Sequence, residues 1–114
     1  MGRVFPALIL VFAACFSACE TSPQSLYYWG NYESQVYAYL NGDSRGAQIQ
    51  AMERDLEKAA ANSRVVPPGF FAHLGLLYAE TGNDADAAAC FEAEKAFFPE
   101  AASYMDLLLR NMGK

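Results

Sequence analysis

The run Val65-Val66-Pro67-Pro68-Gly69 restricts this chain more than any other feature. Two consecutive prolines lack backbone donors and hold φ near −65°, so no helix continues through them, although both suit a helix's first turn. A helix on the amino-terminal side must end before the prolines, and the next one must start afresh. On both sides the apolar residues recur at intervals of three and four, the period of amphipathic helices.

That period predicts five helices and no convincing strand. The first is expected over Ser25 to Leu40, with Trp29, Tyr32, Val36, Tyr39 and Leu40 as its stripe and Asn41-Gly42-Asp43 as its stop. The second, Ser44 to Asn62, has Ile49, Met52, Leu56, Ala59 and Ala60 on one side and Glu53, Arg54, Glu57 and Lys58 on the other. After the diproline, Phe70, Phe71, Leu74, Leu77 and Tyr78 mark a third. Thr81-Gly82-Asn83 makes a turn, with Gly82 suited to the left-handed conformation. A fourth carries Ala87, Ala88, Phe91 and Ala96. Pro99 breaks again, and Glu100 to Met112 forms a last helix with Tyr104, Leu107, Leu108 and Met112 expected to face inward. The expected fold is all-α, an irregular bundle of about five helices over residues 25–114.

The first 18 residues read differently. Gly2 and Arg3 form a short basic start, Val4 to Cys15 is apolar almost without a break, and Ser17-Ala18 stands before Cys19. This is the order of a secretory signal, and its apolar run falls short of the roughly 20 residues a spanning helix needs. Phe16-Ser17-Ala18-Cys19 resembles the lipobox of bacterial lipoproteins, with a rival motif at Phe12-Ala13-Ala14-Cys15 that would leave Phe16 at the tether. The resemblance implies a diacylglycerol thioether on Cys19, loss of residues 1–18 and acylation of the new amino terminus. Residues 19–24 then form a lipidated tether, and Glu20-Thr21-Ser22-Pro23-Gln24 is suitably polar. In lipoprotein sorting an Asp after the Cys retains the protein at the inner membrane. Glu20 is not Asp, which implies the outer membrane, with the domain facing the periplasm.

The chain has a formal net charge of −5, and losing Arg3, the one charged residue before Cys19, would make it −6. An acidic domain without a basic stretch offers nucleic acid no electrostatic foothold. Of the three cysteines only Cys90 would remain as a thiol, which leaves no internal disulfide framework.

Residues 68–101 resemble one tetratricopeptide unit, a helix-turn-helix of about 34 residues. Phe71, Leu74-Gly75, Tyr78, Ala87, Phe91 and Pro99 occupy its characteristic places. Gly75 is expected to permit close approach of the paired helix, and Ala87 to fill the crossing. Glu94 departs from the pattern, where a small Ala is usual, and a slight rotation or loose packing is expected there. The groove such units use to grip a peptide carboxylate would here be lined by Ala72, Leu76, Ala79 and Glu80, which argues against a carboxylate clamp and for an apolar contact. More widely, the runs at residues 26–33, 66–69, 73–78 and 91–95 resemble a family of small uncharacterised bacterial outer-membrane lipoproteins, often neighbours of lipoproteins of the curli-secretion type. That implies work in envelope assembly or secretion and supplies no catalytic residues.

Little in the chain points to chemistry. His73 is the only histidine, and pairing it with Cys90 as a nucleophile would still need an orienting group and an oxyanion hole. Asp84, Asp86 and Glu92 suit a first helical turn and a solvent face better than a metal site, and Gly82 lacks the preceding strand of a phosphate loop. No cofactor and no metal are expected. The surplus is aromatic: Tyr27, Tyr28, Trp29, Tyr32, Tyr37 and Tyr39 fall close together, more than one helix face buries. Tyr27, Tyr28 and Tyr37, with Leu76, are the candidate partner-binding residues. The expected function is a non-enzymatic scaffold or accessory subunit of an envelope complex; the alternative is a small-ligand or glycan-binding lipoprotein that stacks its ligand on those rings.

Overall fold

A computed structural model describes residues 25–112 and 114; Cys19, the signal segment and the tether lie outside the described residues. The chain is all-α: α1 (Tyr32–Leu40), α2 (Arg45–Ala61), α3 (Phe70–Glu80), α4 (Asp84–Phe97) and, after a 3₁₀ turn at Pro99–Ala101, α5 (Ala102–Met112). Among the described residues the extended structure is a single parallel bridge between Tyr27 and Val65.

Short polar turns reverse the chain between α1 and α2 and between α3 and α4. Gly82, at φ +82°, supplies the left-handed residue after α3, and the Asn83 N–H donates back to the Tyr78 carbonyl at 2.8 Å, which satisfies the end of the helix. At the opposite end of both hairpins stand the start of α1, the end of α2, the diproline, the start of α3 and the end of α4.

The apolar interior lies on both sides of α3. On one side Met52 and Ala59 of α2 pack with Val66, Phe70, Leu74 and Leu77, and Tyr28, Tyr32 and Tyr39 close over them. On the other, Ala87 and Phe91 of α4 pack with Met105 of α5, and Ala72 and Ala79 complete the contact from α3. A Cβ on Gly75 would stand 2.6 Å from Phe91 Cε1 and 3.1 Å from Cys90 Cβ. Gly75 thus permits the close approach expected of it, and Ala87 is fully buried at the crossing.

The structure departs from the expected bounds and stripes in several places, and Leu40 and Ala60, expected in the stripes of the first two helices, are exposed. The first helix begins at Tyr32 and not at Ser25. Residues 25–28 are instead drawn out beside Val65, where the Tyr28 N–H donates to the Val65 carbonyl at 2.8 Å. The Arg64 guanidinium donates to the carbonyls of Ser25 and Tyr27, and Gly30, at φ +48°, breaks the helical path before it starts. The inward face of α5 is also different: Tyr104 and Leu107 are 60% and 44% exposed, while Met105 is 2% exposed. Ala101, Met105, Leu108, Leu109 and Met112 face α4. These keep helical spacing as well as the expected stripe does, and two overlapping stripes cannot be ranked by period alone.

Candidate functional site

The residues that hold the fold's two hairpins together include two carboxylates the apolar pattern does not reveal. Asp55 of α2 is 0% exposed and Glu94 of α4 is 2% exposed. Asp55 accepts from the Asn31 N–H at 2.7 Å and from its side-chain amide at 3.2 Å, at the start of α1. Glu94 accepts from the Gly69 N–H at 2.7 Å and the Ala72 N–H at 3.3 Å, at the start of α3. Each carboxylate meets donors that a helix cannot satisfy internally, at the positive end of its dipole.

The Asp55 approach needs a glycine, and a second glycine beside the Glu94 contact makes room for Tyr32. A Cβ on Gly30 would stand 2.5 Å from Asp55 Cγ, and one on Gly69 would stand 2.6 Å from the Tyr32 hydroxyl. Glu94 is therefore not the point of loose packing that its departure from the tetratricopeptide pattern suggested; its carboxylate anchors the helix that restarts after the prolines. The signal available in the sequence was the glycine preceding each first helix, taken with an acid on the apolar side of the next.

Between α2 and α4, α3 forms the floor of an apolar groove. One recess, of about 240 Å³, is lined by Leu56, Phe71, Leu74, Tyr78, Asp86, Ala89, Cys90 and Ala93. A second, of about 170 Å³, shares Leu56 and Phe71 and runs toward Arg64, Val65 and Phe97. Phe97 stacks flat on Phe71, with centroids 5.6 Å apart. At the rim of the first recess the Tyr78 hydroxyl donates to Glu53. Burial and that carboxylate raise the Tyr78 pKa, so the ring presents a neutral edge.

The candidate residues separate in space. Tyr27 is half-buried with its ring edge-on to Phe98 at 6.0 Å. Tyr28 is half-buried, with the Arg64 guanidinium 6.0 Å from its ring centroid. Tyr37 is 68% exposed on α1, and Leu76 is half-buried on α3. Trp29, expected on the inward stripe of the first helix, is 42% exposed ahead of that helix, its indole N–H donating to the Ser25 hydroxyl at 2.9 Å. Neither recess of the groove is lined by Trp29 or by a tyrosine from residues 27–39. Residues 26–108 match the family described as Domain of unknown function (DUF4810). The chain belongs to that family. No curated protein and no solved structure matches it.

Membership of the DUF4810 family brings no assigned activity, so chemistry must be judged from the side chains. In this DUF4810 chain burial, with Asp86 and Glu53 nearby, pushes the Cys90 thiol up to about 11, the wrong direction for a nucleophile. His73 lies on the other side of α3, edge-on to Tyr39 at 5.3 Å and to Tyr32 at 6.3 Å. Burial lowers its pKa, and its Nε2 is buried with no hydrogen-bond partner among the described residues. Among the described residues no three His, Cys, Asp or Glu side chains converge as a metal site. No described helix is long and apolar enough to cross a membrane.

Proposed function

We propose that this protein is a lipid-anchored, non-enzymatic adaptor of an envelope assembly or secretion complex, held at the outer membrane through Cys19. The observation that carries the reading is the groove between α2 and α4. Its larger recess, about 240 Å³, is walled by Leu56, Leu74, Ala89 and Ala93, which suits one or two apolar side chains of a partner segment. The resemblance of residues 68–101 to a tetratricopeptide unit, a helix pair that other proteins use to hold peptides, supports the same reading. Tyr37, exposed on α1, offers a second contact of the kind enriched at protein interfaces.

The test places a photo-crosslinking residue at Ala89, which is exposed at the wall of the recess, and irradiates intact envelopes. One recurrent protein adduct is expected, lost when Ala93→Arg fills the recess and reduced when Cys19→Ala releases the domain. Absence of any reproducible adduct, or one that is indifferent to Ala93→Arg, would sink the proposal.

A further inference from the structure

The two ends of the bundle are unlike. At the end formed by the short turns, the chain shows Asn41, Gly42, Asp43 and Ser44, then Thr81, Gly82, Asn83 and Asp84, all exposed, with Leu40 (77%) as the large apolar side chain exposed beside them. At the other end stand Leu26 (78% exposed), Trp29 (42%), Val65 (40%) and Phe97 (53%). They are joined by more than topology. Val65 bridges Tyr27, next to Leu26, and Val65 and Phe97 line the same recess. Arg64 fastens the segment that carries Leu26 through the carbonyls on either side of it.

We infer that this apolar end, Leu26, Trp29, Val65 and Phe97, lies against the membrane that carries the anchor, with these side chains in the boundary between headgroups and acyl chains. The inference rests on the lipid-anchored reading above and adds which face meets the bilayer. Five residues separate Cys19 from Ser25, and a fully extended chain covers at most ~3.6 Å per residue. The fastened segment therefore starts within about 25 Å of the anchored sulfur. Because Arg64 ties that segment down at Ser25, the tether leaves the domain at the apolar end and not at the polar one. A bundle held so close can turn only a few of its faces to the bilayer, and this one presents four large apolar side chains beside an Arg64 guanidinium that is engaged with backbone carbonyls. Trp at a membrane boundary keeps an apolar ring in the lipid and its N–H toward polar groups, which fits an indole already donating to Ser25.

Trp29 is the only tryptophan in the chain and so serves as a built-in probe. The mature protein, purified with its native amino terminus, is first weighed by mass spectrometry and then reconstituted into phospholipid vesicles whose acyl chains are brominated near the headgroups. The expected result is a mass showing acylated Cys19, a blue shift of Trp29 emission relative to detergent-free Cys19→Ala protein, and loss of most of that emission to bromine. Leu26→Glu with Phe97→Glu, at two exposed positions, should restore most of the emission while the helical circular dichroism stays unchanged. A mass without lipid overturns the anchored reading and this inference with it. A lipid-bearing protein whose Trp29 is not quenched overturns this inference alone; if its emission is nevertheless blue-shifted, a second copy of the chain covers the face.

Discussion

The two helix pairs, α1 with α2 and α3 with α4, are built on one plan and closed to different degrees. In each, the eleventh residue of the second helix is the buried acid that accepts from the residue before the first helix. The eighth is the large apolar residue of the interior, Met52 in one pair and Phe91 in the other, and the fourth is buried in both, Gln48 and Ala87. The difference lies in the first helices. α3 fully buries Phe70, Leu74, Gly75 and Leu77, whereas α1 is nine residues long and fully buries none. A carboxylate at a helix start can position a helix; Gly75 and Phe91 show that pressing it home takes a matched gap and ring.

The two pairs differ most at Phe91. Phe91→Ala should cost about 3–5 kcal/mol, read from chemical denaturation, because the ring fills a closed site against Gly75. A cost under about 1 kcal/mol would mean the second pair is no tighter than the first. Next come the two acids. Glu94→Ala leaves the Gly69 and Ala72 donors without partners, an expected loss of about 2–3 kcal/mol. Asp55→Ala should cost as much at its own helix but leave α3 and α4 protected in amide hydrogen exchange. Equal loss of protection everywhere would show the pairs to be one cooperative unit. Gly75→Ala ranks below the acids, at about 1–2 kcal/mol, since the Phe91 ring is buried and cannot give way to a Cβ placed 2.6 Å from Cε1. A stabilised variant would show that the ring moves and that helix propensity wins.

The same contrast sets how far the sequence can be read. The diproline, Gly82 and the three-four spacing determine where α2, α3 and α4 run, because these signals act within one turn of chain. The extended start at residues 25–28 escaped the pattern, since its cause is Arg64, far along the chain and attached through backbone carbonyls. Asp55 and Glu94 escaped for a similar reason. By composition they belong on the wet side, and only the opposing helix start reveals why they are inside. The tyrosines divided along the same line: Tyr27 and Tyr28 pack against Phe98 and Arg64, while Tyr37 stays exposed on α1.

The smallest expected effect is on pH, and it sharpens the contrast at the contact between the pairs. His73 of α3 faces Tyr32 and Tyr39 of α1. Burial lowers its pKa below the ordinary 6.5, with Arg45 adding to the shift and the Gln35 backbone and Glu80 opposing it. The unfolded imidazole therefore takes up its proton first as the medium is acidified. Its contribution to stability is complete above 6.5 and drains as the pH falls from there toward the folded value. Glu80, held down by Tyr39 and Arg45, titrates from its ordinary 4.5 downward and so acts in a separate, more acidic window. Acidifying from about pH 7.5 to pH 5.5 should lower the midpoint of denaturation slightly. His73→Gln should flatten that slope, and exchange protection in α1 should fall before that in α4. A slope that survives His73→Gln would place the titrating group elsewhere and leave α1 held by its aromatic packing and by Asp55.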